Sequence, residues 1–213
     1  MKLLHVTIVS DVICPWCYIG KRRFEKAVRA LGGEVETHVA WQPFELNPGM
    51  PREGMDRKGY RIAKFGSGAE SEEMDRHVAE VGASEGITFR FDLMKKTPNT
   101  FDAHRLIWFA GEKRKQDEIV ERLFEAYFTQ GADVGDRETL LRIAETCALD
   151  HAARFLDSED GRREVAEAAA SARERGISAV PTFIVNRTHL VSGAQPAEIL
   201  EAMFRQLLAG PKP

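Results

Sequence analysis

Residues Leu3 to Val9 (LLHVTIV) form a short apolar run rich in β-branched side chains and predict a buried strand. The period then changes. Phe24, Ala27, Val28 and Leu31 recur at the spacing of one helix face, and Gly32-Gly33 stops that helix. Val35 to Trp41 alternates apolar and polar residues and predicts a second strand. The chain therefore opens β-α-β. From Gln42 to about Gly68 proline, glycine and charge dominate (QPFELNPGMPREGMDRKGY), which predicts a loop with at most one short helix, and a domain junction. Helical patterns follow over Asn99 to Ala110, Gln116 to Gln130 and Asp136 to Ala148, the last opened by a capping residue. A further helix, Glu159 to Arg175, ends at Gly176. Pro181 to Val185 and His189 to Val191 then flank Asn186-Arg187, a hairpin turn. A last helix follows Gln195-Pro196, with Ile199, Leu200, Met203, Leu207 and Leu208 on its apolar face. The sum is β-α-β, a helical block, then α-β-β-α, with no internal repeat.

Composition adds exclusions. The chain has 213 residues, 43% hydrophobic and 30% charged, with a net charge of −3. That balance gives no polyanion-binding signal, and nucleic acid is not an expected partner. No run approaches the roughly 18 apolar residues of a membrane span. MKLLHVTIVS is too short an apolar stretch for a secretory leader, so a cytoplasmic protein with no membrane partner is expected. Three cysteines are too few for a disulfide scaffold in a chain of this length.

The candidate chemistry lies in CPWC, residues 14–17, between the first strand and the first helix. Cys14 stands where a helix N-cap would be, and Pro15 takes the first helical position. A thiolate is the reactive form of cysteine, and free backbone N–H groups with the helix dipole favour it at such a position. Cys14 is thus the expected attacking thiol. Cys17, one turn in, is near enough to close a disulfide. A zinc site would need about four ligands. Cys147 stands alone on a predicted helix and the histidines show no close pair, so no metal is expected. Two inert structural thiols are the other reading. The cap position, Pro15 and the β-α-β context speak against it.

SDVICPWCYIGKRR after the first strand, PFELNPGMP after the second, PNTFDAHRL in the helical block and GISAVPTFIV followed by SGAQP resemble DsbA-like thioredoxin-fold oxidoreductases. Within them the chain is similar to the FrnE-type branch, related to 2-hydroxychromene-2-carboxylate isomerases and kappa-class glutathione transferases. The resemblance spans almost the whole chain. It implies an α/β fold: a thioredoxin domain in two parts, residues 1–45 and 159–213, interrupted by a helical insertion domain over residues 46–158. It also implies a cis peptide bond at Val180-Pro181 facing Cys14, with the Val180 backbone pairing to an extended substrate. Without the resemblance, Pro181 would read as a trans proline opening an edge strand. Asn99, Thr100 and His104 match a motif that lies over the cleft in glutathione-using relatives, which makes Asn99 and His104 candidate cleft residues. His104 reads equally as a helix-surface or satisfied core histidine. Trp16 is expected exposed beside Cys14, as an apolar contact for substrate that also tunes the redox potential; a core aromatic is the alternative. Some FrnE-type proteins carry a second cysteine pair. Here a single redox centre is expected, with Cys147 in the core.

The expected activity is thiol–disulfide exchange on protein or small-molecule disulfides and dithiols, through a mixed disulfide at Cys14 resolved by Cys17. No bound cofactor is expected. Glutathione or a protein reductant would recharge the pair, and a homodimer is carried as an expectation. The rival is a glutathione-dependent isomerase or transferase, in which the first cysteine position typically holds serine. A redox-sensing module, switching binding without turnover, is a third reading.

Overall fold

The computed structural model describes residues 2–33 and 35–210. In chain order the elements are β1 (Lys2–Ser10), α1 (Pro15–Ala30), β2 (Val35–Pro43), β3 (Met55–Asp56), α2 (Arg57–Phe65), α3 (Gly68–Ser84), β4 (Lys96–Thr97), α4 (Phe101–Gly111), α5 (Gln116–Gln130), α6 (Arg137–Thr146), α7 (Ala152–Asp157), α8 (Arg162–Glu174), β5 (Thr182–Val185), β6 (His189–Ser192) and α9 (Ala197–Ala209). The main sheet has the order β2-β1-β5-β6. β1 runs parallel to β2, with Val6 opposite Val39, and antiparallel to β5, with Ile8 opposite Phe183. A parallel pair needs a crossover, and α1 provides it.

β1 is central because Leu4, Val6, Ile8 and Val9 are all buried. α1 lies on one face and joins two halves of the molecule. Phe24 stacks on Phe183 at 5.7 Å and meets Phe204 of α9 edge-on at 6.0 Å. On its other side Tyr18 stacks on Phe124 of α5 at 5.0 Å. Such aromatic pairs add specific geometry to plain area burial. The chain leaves the sheet at Pro43 and returns at Thr182, with α2 to α7 filling the interval and α8 packed on β2. Within the helical block Arg105 is wholly buried. Its guanidinium donates to the carbonyls of Phe155, Leu156, Ser158 and Asp160 and to the Asp102 carboxylate, so a charge that would be costly alone is fully paired.

Three segments differ from the sequence expectation. The stretch over Gln42 to Gly68, expected as a loop with at most one short helix, holds that helix as α2 and adds half of an unexpected two-stranded ribbon, β3 with β4. α3 was not expected. It buries only Ser71, Val78 and Gly82, so it packs through small residues and shows no apolar stripe. The six residues of α7 are too few to display a period. The hairpin turn does form at Asn186-Arg187, with φ of 48° and 66°, the left-handed values that a two-residue hairpin loop requires.

Candidate active site

Cys14 is the N-cap of α1, in extended conformation with φ −90° and ψ 111°. Two turn bonds fix it. Its N–H donates to the Asp11 carbonyl at 3.0 Å, and its own carbonyl accepts from the Cys17 N–H at 3.0 Å. The Cys14 thiol donates to the Val180 carbonyl at 3.6 Å. Val180-Pro181 is a cis peptide bond, which brings the loop before β5 against the cap of α1. The Pro181 carbonyl accepts from Gly193 N–H at 2.8 Å, anchoring that loop to the end of β6. Gly20, on the second turn of α1, makes the approach possible. A Cβ there would lie 2.8 Å from Pro181 Cγ.

Both thiols are free, and they differ in surroundings. Cys17 is 1% exposed. Burial pushes its thiol well above the ordinary value, and the neighbouring Cys14 thiol pushes the same way; the Ser10 hydroxyl and the Asp11 backbone pull it down. Cys147 is buried at the C-cap of α6, where its carbonyl accepts from Lys115. Burial raises its thiol to about 11.

Beneath the cap lies a polar group that sequence reasoning passed over. Asp11 is fully buried. It accepts from Leu46 N–H at 2.7 Å and Ile13 N–H at 3.5 Å, which ties the segment after β2 to the segment before Cys14. His104 Nε2 is 3.4 Å from Asp11 Oδ1. Burial lifts the Glu45 carboxyl above its ordinary value, with His104 opposing and Asp11 adding to the rise. One signal was position: Asp11 stands three residues before Cys14, in the turn between β1 and α1. Gly20, a glycine inside a helix, was a second signal.

The structure scatters the other expected residues. Trp16 is half-buried against the helical block, its ring 5.9 Å from His77 of α3. Asn99 is engaged locally, donating to the Met50 carbonyl at 2.7 Å and accepting from Phe101 N–H at 3.0 Å. Thr100 is the buried N-cap of α4. His104 is 3% exposed, under the cap beside Asp11. Lys21, Arg22 and Arg23 add no free positive charge: Lys21 is buried among Glu25, Asp117 and Glu121, Arg22 pairs with Glu121, and Arg23 pairs with Glu85.

A hollow of about 110 Å³ opens beside the cap, lined by Ile13 and Pro15 on one side and by Arg57, Arg61 and Lys64 on the other. Arg57 and Arg61 share the single carboxylate of Asp75, each at 2.8 Å, and Lys64 bonds Tyr60 and Asn47. Three cations against one carboxylate leave this wall positive. Among the described residues no group of His, Cys, Asp and Glu is placed to hold a metal ion, and no helix is long and apolar enough to cross a membrane.

The family model described as a DSBA-like thioredoxin domain matches residues 5–205. The Bacillus subtilis protein YwbO, described as uncharacterized, is 30% identical over 203 residues, covering 93% of this chain and 94% of its own. The crystal structure of a probable DsbA oxidoreductase from Streptomyces coelicolor is 31% identical and superposes with a TM-score of 0.88, over 99% of this chain and 92% of that one. The cytosolic disulfide reductase DsbM from Pseudomonas aeruginosa, also solved with GSH, is 17% identical, with a TM-score of 0.67 over 95% of this chain and 99% of that one. At that identity the likeness is one of fold.

Proposed function

The chain belongs to the DSBA-like thioredoxin domain family, and on that footing we propose that it is a thiol–disulfide oxidoreductase working through the Cys14–Cys17 pair. The observation that carries the reading is the pairing of Cys14, at the cap of α1, with the Val180 carbonyl beside cis Pro181, while Cys17 lies one turn behind it. An incoming disulfide meets Cys14. The Cys14 thiolate attacks one sulfur, the substrate S–S bond breaks, and one substrate thiolate leaves. Cys17 then attacks Cys14, closing the protein disulfide and releasing the second thiolate. An extended peptide beside Val180 aligns its sulfur with Cys14. The positive hollow next to Pro15 favours partners that bring carboxylates, and glutathione, with two, suits it as redox partner. In the reducing cytoplasm, the expected location, glutathione would keep the pair reduced and the protein would act as a disulfide reductase.

The test is reduction of insulin by dithiothreitol, with the reduction potential titrated in glutathione buffers. Wild type accelerates precipitation of the insulin B chain; Cys14→Ser and Cys17→Ser do not turn over. If wild type is inert and the pair stays reduced in oxidising buffer, the dithiol is not a redox centre. A glutathione-dependent isomerase, which needs no resolving thiol, then becomes the better account.

A further inference from the structure

Two sequence blocks carry no part of the dithiol chemistry: KRR at residues 21–23 and SGAQP at residues 192–196. One bond joins them. Arg23, on the third turn of α1, donates from Nη1 to the Ala194 carbonyl at 2.6 Å. Its Nε donates to Glu85 Oε1 at 2.7 Å. Glu85 is the C-cap of α3, in the helical block, and Lys26 takes its other carboxylate oxygen. The Arg23 and Glu85 side chains are 17% and 11% exposed, so salt screens this pair less than one on the open surface. A guanidinium is a rigid fork of donors, and two partners held by one fork keep a fixed separation.

The turn that Arg23 grips is tight. Gln195 N–H donates to the Gly193 carbonyl at 2.9 Å, the Gln195 amide donates to the Ser192 carbonyl at 2.8 Å, and Gly193 has φ 83°. From this turn Gly193 N–H reaches the Pro181 carbonyl at 2.8 Å. Pro181 follows Val180, whose carbonyl accepts from the Cys14 thiol. A chain of contacts thus runs from α3 through Arg23, Ala194, Gly193 and Pro181 to the carbonyl beside Cys14.

We infer that Arg23 is a positioning residue for extended disulfide substrates: held by Glu85 of the helical block, it fixes the turn that anchors the Val180–Pro181 loop beside Cys14. The inference rests on the dithiol reading above. A polypeptide that pairs with the Val180 backbone needs this loop in place before its sulfur can meet Cys14. A loop that is loose beforehand must be ordered on binding, which weakens docking and leaves the exchange step itself alone. A small disulfide that reaches Cys14 without lying along the loop has no such requirement. Glu85 acts through Arg23: its ion-pair partners among the described residues are Arg23 and Lys26, both on α1. The helical block thereby takes part in substrate choice without touching the thiols.

The test compares wild type, Arg23→Gln, Glu85→Gln and the double variant on two substrates: insulin, a polypeptide disulfide, and dithiobis-nitrobenzoate, a small one. The expected result is a KM for insulin raised roughly fivefold to tenfold in Arg23→Gln, with kcat within about twofold of wild type. Release of the first coloured thiolate from dithiobis-nitrobenzoate by reduced protein stays within about twofold. Glu85→Gln raises the insulin KM by a smaller factor, and the double variant matches Arg23→Gln, because the two residues act as one unit. Hydrogen exchange at Gly193 N–H is faster in Arg23→Gln than in wild type. An insulin KM unmoved by Arg23→Gln overturns the inference. So does a loss shared equally by both substrates, which is what general damage to the fold gives, and so does unchanged exchange at Gly193. Glu85→Gln leaves α1 unaltered and keeps the test open should Arg23→Gln fold poorly: an unmoved insulin KM in that variant overturns the inference by itself. A wild type inert toward both substrates takes down the dithiol reading with it, whereas an insulin KM indifferent to both variants removes this inference alone.

Discussion

Cys14 and Cys17 are one helical turn apart, and the molecule gives them opposite surroundings. Outside Cys14 stand the Val180 carbonyl, half-buried Ile13 and Pro15, and a hollow walled by three cations. Behind the cap stand buried Ser10 and Asp11, with buried His104 3.4 Å from Asp11. Both sulfurs are buried, Cys14 at 5% exposure and Cys17 at 1%, so the contrast lies in what adjoins them: a charged hollow beside the cap suits a partner that arrives and leaves. A sealed side suits a thiol kept from incoming partners. The difference teaches that the division of labour in a two-thiol motif comes from the residues on either side of it, since the motif itself is nearly symmetric.

The largest effect is expected from removing the brace of the inner side. Asp11→Ala strips the acceptor from the Leu46 and Ile13 N–H groups and should cost about 3 kcal/mol in chemical denaturation. Asp11→Asn keeps one acceptor oxygen and should cost clearly less; equal losses would mean that charge, not hydrogen bonding, is what the site needs. Next comes the wedge between the two sides. Gly20→Ala drives a Cβ to 2.8 Å from Pro181 Cγ, inside any real contact, and should cost about 2 kcal/mol while displacing the Val180 carbonyl from Cys14. An unchanged midpoint would show that the loop before β5 yields freely.

The buried thiol predicts a pH dependence. The folded Cys17 thiol titrates above the unfolded one, so above about pH 8.5 the unfolded chain binds fewer protons than the native protein. The contribution of this thiol to the stability of the reduced protein is therefore constant below that pH and falls above it, by up to about 1.4 kcal/mol per pH unit until the folded thiol itself ionises. Cys147, raised to about 11, adds a slope of the same sign, so Cys17→Ala should reduce the slope to the share of Cys147, and Cys14→Ala should leave most of it. The smallest effect belongs to the outer side. Lys64→Glu should raise KM for glutathione disulfide about fivefold, on the order of 1 kcal/mol, with less change for insulin. Equal changes for both substrates would place the hollow outside substrate recognition.

Local rules made β1, α1, β2 and the β5–β6 hairpin legible, because each shows its period or turn residues within a dozen positions. The stretch from Phe44 to Met94 was not legible. α3 packs through Ser71 and Gly82, and β3 and β4 are two residues each, formed by a pairing of Met55 with Thr97 that no local pattern announces. The same division holds at the site. Cys14 and Cys17 were singled out by CPWC, and Pro181 only through the family resemblance; the cis bond at Val180-Pro181 is present. Asp11 was missed because its partners, Leu46 and His104, are distant in sequence and fold onto the end of β1. His104 was left between two readings, and the structure buries it beside Asp11.

The most direct test of this two-sided account is to locate the first adduct. Reduced Cys14→Ser and Cys17→Ser proteins are mixed briefly with glutathione disulfide, quenched in acid and mapped by peptide mass. The account predicts a glutathione adduct on Cys14 in Cys17→Ser and none on Cys17 in Cys14→Ser over the same interval. An adduct on Cys17 at a comparable rate would contradict it, because the inner sulfur would then be as open to partners as the outer one.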